Sequence, residues 1–334
     1  MRKIKHIIGL FSALILLAVS TSCIDDTTAD CALNVRFQYV YNMNNADAFA
    51  NEVDKVELFV FDSQKKLVAS YVADGIYGND NFTMTLPLPG EIGEYTFVAW
   101  AYETTNNEEH SYFDITKVDV GDPIENTTAR LKRNARSTDN SSRINNTLNG
   151  VKTQRVSGAQ NEVLISMMKV TNDVRVILMP VNGEQRLYSE NYDIKIDHET
   201  GWLAHDATPL REDWITCRPY YQATEKDPDS QENTTTEIDH AVVADMNTSR
   251  IMYTKNPRLT IYDTNANKEV LSVNLAWLLA LQYTSEHKNQ WAEQEYLDRQ
   301  SDYSLTFFID GDTWLSSKVI INGWTLNLGT TELE

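Results

Sequence analysis

Asp54-Lys55-Val56-Glu57-Leu58-Phe59-Val60-Phe61-Asp62-Ser63-Gln64-Lys65-Lys66-Leu67-Val68-Ala69-Ser70-Tyr71-Val72 is the stretch that decides the fold. Residues 54–61 and 66–72 are rich in branched and aromatic side chains. The polar quartet Asp62-Ser63-Gln64-Lys65 separates them, which is the pattern of a β-hairpin. Upstream, Val35, Phe37, Tyr39 and Tyr41 alternate with Asn34, Arg36 and Gln38, the period of a half-buried strand. Downstream, Phe82, Met84, Leu86 and Leu88 alternate until Pro89-Gly90 stops them, and residues 95–102 are aromatic and β-branched. This first part of the chain is expected to be all-β.

Between residues 119 and 160 the pattern is lost. Asn, Ser, Thr and Arg dominate, with a basic cluster of Arg130, Lys132, Arg133, Arg136 and Arg143. In an acidic chain such a cluster could mark a docking point or a trypsin-like cleavage site. The plainer reading is a solvated loop with partial strand content. Beyond it, Val174, Val176 and Leu178, then Tyr192, Ile194 and Ile196, alternate again. Leu259 and Ile261, then Leu271, Val273 and Leu275, flank a turn at Asn265-Ala266-Asn267. A helical stretch runs over residues 275–299, with Trp277, Leu278 and Leu281 at helical spacing. Tyr303, Leu305, Phe307 and Ile309, and finally Trp324, Leu326 and Leu328, give two closing strands. The fold class expected is mainly β: two β-sandwiches in tandem, residues 34–165 and 166–334, the second with a helical insertion.

The N-terminus sets the compartment. Arg2, Lys3 and Lys5 precede an apolar run at residues 7–19, about 13 residues long, the size of a signal-peptide core and too short to span a bilayer. It ends in Ser20-Thr21-Ser22-Cys23, small residues ahead of a cysteine, as a lipoprotein signal peptidase requires. Residues 1–22 are therefore expected to be removed and Cys23 acylated. Two or three chains, at about 0.8 kcal/mol per buried CH2, hold where one would not. Val19 stands four positions before Cys23 rather than the usual three. Residues 23–33 are small, polar and acidic, a tether.

Loss of the signal takes the formal charge from −19 to −22, because Arg2, Lys3 and Lys5 leave with it. So acidic a body argues against nucleic acid and against docking on anionic lipid. Cys31 and Cys217 remain; a bond between them would staple distant segments, and two unpaired thiols are the simpler reading.

No nucleophile motif, phosphate loop or dinucleotide fingerprint occurs, and no enzyme, cofactor or metal is expected. His198 and His205, with Asp197 and Asp206 beside them, flank a hairpin without enforced convergence. Asp25-Asp26, Glu108-Glu109 and Asp227/Asp229 fall in polar loops, and adjacency does not set two carboxylates across a cleft. Trp100, Trp202, Trp214, Trp291, Trp314 and Tyr220-Tyr221 could stack sugars, but an aromatic in an alternating strand is more often core.

The chain resembles the fimbrial anchoring-subunit lipoproteins of Bacteroidales, the fimbrillin-associated anchor proteins. The resemblance rests on Cys23-Ile24-Asp25-Asp26 with Asp30-Cys31, on Asn34-Val35-Arg36-Phe37, on the block at residues 53–62, and on Tyr95-Thr96-Phe97-Val98-Ala99-Trp100. Near the end it rests on Glu295-Tyr296-Leu297-Asp298-Arg299, Leu305-Thr306-Phe307-Phe308 and Ile321-Asn322-Gly323-Trp324-Thr325. Residues 105–165 and 205–255 carry no matching block. The resemblance implies transthyretin-like sandwiches, lipidation at the outer membrane, a place at the fimbrial base and control of fimbrial length. It also implies that Asp25 and Asp26 act as a surface-export signal.

Partners would be fimbrial shaft subunits, joined by β-strand exchange. Residues 34–41 and 324–328 are the candidate donor strands, against the plainer reading of both as closing core strands. The alternative function is a surface glycan-binding lipoprotein of a nutrient-uptake system.

Overall fold

The structure is a computed structural model that describes residues 32–87, 92–104, 113–133, 139–157, 162–181, 186–211, 213–226, 240–286, 290–311 and 313–327. It is mainly β, with its strands in five sheets.

The hairpin that opens the reading is present as Lys55–Phe61 paired antiparallel with Leu67–Ala73. Asp62 makes its turn: Oδ1 accepts from the backbone N–H of Gln64 at 2.8 Å and of Lys66 at 2.9 Å. Lys65 takes a positive φ of 60° to close it. The hairpin is one side of a five-stranded sheet in the order Met168–Lys169, Thr147–Val156, Gly93–Tyr102, Lys55–Phe61, Leu67–Ala73. A three-stranded sheet in the order Glu162–Ser166, Ala32–Gln38, Thr83–Pro87 shares a core with it.

Alternation along the strands explains that core. Leu33, Val35, Phe37, Val56, Leu58, Val60, Phe97 and Ala99 point into it. Their neighbours Phe59, Phe61, Val98 and Trp100 join a second core on the opposite face. A sheet buried on both faces reads as an unbroken apolar run, which is why Tyr95-Thr96-Phe97-Val98-Ala99-Trp100 shows no alternation. Each Val, Leu or Phe among them stabilises by about 1.5–3 kcal/mol when fully buried.

The second core also fills the space between the two large sheets of the C-terminal half. One has the order Tyr221–Lys226, His240–Ser249, Thr171–Pro180, Asp302–Asp310, Thr313–Ile321, Trp324–Asn327. The other has the order Lys268–Asn274, Arg258–Asp263, Tyr192–His198, Ile215–Cys217, Asp139–Asn140. Thr171–Pro180 and Asp302–Asp310 lie parallel at the centre of the six-stranded sheet, so the chain between them must cross over.

That crossover carries the two longest helices among the described residues. The expected single helical stretch at residues 275–299 is two helices, Leu275–Glu286 and Glu293–Arg299, with Ala292 extended before the second. Tyr283 and Tyr296 join them with ring centroids 5.5 Å apart, and Tyr296 Oη donates to Gln282 Oε1 at 3.1 Å.

Residues 119–160 hold more strand than the solvated loop with partial strand content expected there. They contain Thr147–Val156, a ten-residue strand paired with Gly93–Tyr102 along its whole length. Its pattern is hidden because polar Thr147 and Asn149 are buried while Val151 is exposed, and because the position facing Ile165–Met167 must be small. A Cβ on Gly150 would meet the Ser166 carbonyl oxygen at 2.6 Å and Met167 Sδ at 2.6 Å. Earlier in the same segment, Ala129–Leu131 pairs with Trp202–Leu203, and Asp139–Asn140 pairs with Ile215–Cys217. The segment is thus stitched into the C-terminal half. Strands Tyr221–Lys226, His240–Ser249 and Thr313–Ile321 were also not legible from alternation.

Candidate partner-binding edges

A protein that joins others by adding strands needs a sheet edge with unused backbone hydrogen-bonding groups. The structure separates the two candidate strands. The first runs over Ala32–Gln38 rather than 34–41 and lies in the middle of its sheet. It is parallel to Glu162–Ser166 on one side and antiparallel to Thr83–Pro87 on the other. Leu33, Val35 and Phe37 are buried. Removing it would open a core, so it closes the sandwich, as the plainer reading had it.

The last strand is different. Among the described residues, Trp324–Asn327 is the outermost strand of the six-stranded sheet and pairs on one side only, with Thr313–Ile321. Asn322 (φ 49°) and Gly323 (φ 84°) form its turn, the left-handed pair that a two-residue hairpin needs. The turn is pinned: Asn322 Oδ1 accepts from Ser304 N–H at 2.7 Å, and Asn322 Nδ2 donates to Gln282 Oε1 at 3.1 Å. Register pairs Trp324 with Ile321 and Leu326 with Val319. Directly paired residues share a sheet face, so Trp324 and Leu326 extend the row of the fully buried Val319 and Ile321 to the edge. There the cover fails, and Trp324 is 53% exposed. The edge therefore offers free backbone groups next to a half-covered apolar row. Leu328 lies outside the described residues.

The lipid-attachment candidate Cys23 and the export residues Asp25 and Asp26 lie outside the described residues, as does Cys31. Cys217 is a free, buried thiol 3.3 Å from Nε2 of His198, whose Nδ1 is 2.9 Å from Thr200 Oγ1. Burial pushes the thiol up to about 12 and the imidazole down to about 4, so neither is charged near neutral pH. The contact looks like a nucleophile and its base, but a sealed, neutral pair has no route to substrate. His205 is used through its backbone, its carbonyl accepting from Asn149 Nδ2 at 3.0 Å. Glu108, Glu109, Asp227 and Asp229 lie outside the described residues.

The aromatic candidates do not converge. Trp100 is fully buried. Trp202 lies under two guanidinium groups, Arg211 at 4.3 Å and Arg130 at 5.3 Å. Trp314 packs edge-on against Phe307, and Trp291 sits beneath Arg299. Trp214, Tyr220 and Tyr221 are exposed.

The basic cluster has a structural use. Arg130 Nη2 reaches Asp213 Oδ1 at 2.8 Å, and Arg133 pairs with Asp213 Oδ2. Burial alone would raise the Asp213 carboxyl, but hydrogen bonds from the two arginines outweigh it and hold it below the ordinary carboxylate range. Lys132 is 3.9 Å from Asp114, and Arg136 lies outside the described residues. A second clasp joins the halves at Arg299, whose guanidinium stacks on Tyr41 at 4.2 Å and donates to Asn45 Oδ1 at 3.2 Å. Within the N-terminal half, Lys169 pairs with Glu52 at 3.2 Å. The second core runs through both halves. Among the described residues, no helix is long and apolar enough to cross a membrane.

The family model described as "Fimbrillin-A associated anchor proteins Mfa1 and Mfa2" matches residues 27–328. A Bacteroides thetaiotaomicron structure solved as "putative polysaccharide binding proteins" is 32% identical, with a TM-score of 0.77 over 90% of this chain and 99% of that one. A "putative adhesin" from the same organism is 24% identical, with a TM-score of 0.74 over 89% and 97%. The fimbrial anchor protein Mfa2 from Porphyromonas gingivalis is 17% identical, with a TM-score of 0.66 over 89% and 99%, a likeness of fold alone. No curated protein matches.

Proposed function

The chain belongs to the family of fimbrillin-A associated anchor proteins, and from that premise we propose that it is an outer-membrane lipoprotein fixing the base of a fimbrium to the cell surface. Acyl chains on Cys23, palmitate among them, hold it in the membrane, and Asp25 and Asp26 direct it outward. The body is two transthyretin-like sandwiches divided near residue 165, except that Asp139–Asn140 lies in a sheet of the C-terminal one and Met168–Lys169 in a sheet of the N-terminal one, carried on the tether at 23–33. Its role is structural rather than catalytic. The first shaft subunit joins it by β-strand exchange, and a chain end held in this way limits the length of the polymer.

The observation that carries this reading is the half-open edge at Trp324–Asn327, where free backbone groups run beside an apolar row. A strand added there satisfies both at once. The clasps between the halves suit a part that must bear load between a membrane and a filament. Replacement of Cys23 by Ala tests the tether: protein and fimbriae are expected in the medium, and retention of the variant in the membrane overturns it. Deletion of the gene tests the role: fimbriae are expected to be shed and longer. Fimbriae that stay attached at normal length overturn the anchor.

A further inference from the structure

The outer face of the six-stranded sheet carries a cleft that anchoring does not use. Its volume is about 330 Å³, and Asp173, Arg175, Tyr220, Asp245, Asp302 and Asn322 are among its lining residues. Two cross-strand rows make the floor. Asp173 is in register with Asn247 on one side and Asp302 on the other. Two residues further along, Arg175 is in register with Asp245, itself opposite Tyr221, and with Ser304. Directly paired residues share a face, so these side chains are presented together. The Asn322 turn closes one end and Tyr220, 38% exposed, stands at the other.

The polar groups are held before any ligand arrives. Arg175 meets Asp245 in a two-point pair, Nε to Oδ1 at 2.7 Å and Nη2 to Oδ2 at 2.9 Å. Asp173 accepts from Asn247, and the Asn322 side chain is bonded at both its oxygen and its nitrogen. Tyr220 donates its backbone N–H to the Asp245 carbonyl at 2.9 Å, which fixes the aromatic beside the ion pair. The cleft also lies near the meeting of the two halves, where Asp302 and Ser301 act on Tyr39 of the N-terminal sandwich. Such junctions are common ligand sites, and the volume is at the small end of the usual range of about 300–1,000 Å³.

We propose that this cleft binds one or two rings of a neutral saccharide, with hydroxyl groups on the carboxylates of Asp173, Asp245 and Asp302 and a ring face on Tyr220. A sugar hydroxyl donates to a carboxylate and accepts from a guanidinium at once, which matches the paired Arg175 and Asp245. A pyranose presents a C–H face that an exposed phenol ring covers. The lining carries three carboxylates and the Arg175 guanidinium, with Arg143 acting on Asp173 and Tyr220 from beside it, a balance that still disfavours an acidic sugar relative to a neutral one. This assignment stands apart from the anchoring role, since the cleft is on the sheet's face and the strand-accepting groups are at its edge.

Saturation-transfer NMR on the full chain in a sugar-free detergent tests it. The probes are maltose, cellobiose, mannobiose, diacetylchitobiose, glucuronic acid and tetralysine. At least one neutral disaccharide is expected to bind saturably, and glucuronic acid is not. Tyr220→Ala is expected to weaken binding by about tenfold, and Tyr220→Phe to leave it within about twofold. Should Tyr220→Ala lose its cooperative melt, Asp302→Asn at the exposed rim carries the test, with an expected loss of about fivefold or more. Absence of saturable binding by every neutral sugar overturns the proposal, as does binding unchanged by both variants. Binding of tetralysine alone also overturns it, in favour of a basic protein partner.

Discussion

Arg130 and Asp213 are separated by 83 residues of chain and 2.8 Å of space. The same carboxylate takes Arg133, so two cations from a segment that reads as a solvated loop converge on one nearly buried anion. Gly201 makes this possible, since a Cβ there would lie 2.8 Å from Asp213 Oδ2 and 3.0 Å from Arg133 Nη2. Asp213→Ala takes the carboxylate from Arg133 in a largely covered site and leaves it the Trp214 carbonyl, 3.2 Å from Nη1. We expect a loss of about 2–3 kcal/mol in denaturant unfolding, at the low end for a buried pair because Arg130 stays half in solvent. A loss below about 0.5 kcal/mol would show that the clasp is ornamental.

Gly150 sits where Thr147–Val156 passes beneath the Ile165–Met167 backbone. Gly150→Ala sets a methyl group against the rigid Ser166 carbonyl. Overpacking of this kind costs about 1–3 kcal/mol. The expected result is a lower melting temperature with little change in near-neutral circular dichroism, and an unchanged melt would contradict the close approach.

His198 gives the fold an acid-sensitive point. Burial lowers its imidazole to about 4, against about 6.5 when unfolded. The unfolded chain therefore takes up a proton that the folded chain refuses. Stability from this site is fully present above the unfolded value and is lost as pH falls from about 6.5 to about 4, on the order of 3 kcal/mol. His198→Gln removes that dependence. The check is unfolding free energy against pH for both proteins, where the difference between the curves should shrink towards acid. Parallel curves would refute the assignment.

Trp324 tests the open edge without touching the core. Its side chain is more than half exposed, so Trp324→Lys is expected to cost about 1–2 kcal/mol, too little to unfold the chain. A Lys on an edge strand opposes strand addition. Cells carrying the variant are expected to shed fimbriae while retaining the protein itself in the membrane fraction. Normal fimbrial retention would move the docking strand to another edge.

Branched and aromatic runs on either side of a polar quartet exposed the hairpin at residues 54–72, and alternation exposed the strands around Phe37, Met84, Ile194 and Leu271, because each of these has one face in the core and one more open. The residues from Arg2 to Cys23 carried the expectation of a lipid anchor for the same kind of reason: charge, apolar length and small residues are local quantities. The matched blocks made the family legible. Tertiary structure alone decided the rest. Thr147–Val156 was unreadable because Gly150 answers to a neighbour's carbonyl and not to a face of its own strand. The arginines near residue 130 became a clasp only when folding brought up Asp213. Of two apolar strands at the ends of the chain, pairing on both sides made Ala32–Gln38 core, and pairing on one side left Trp324–Asn327 open. Periodicity records what a residue's own strand requires; contacts between distant segments leave no period to read.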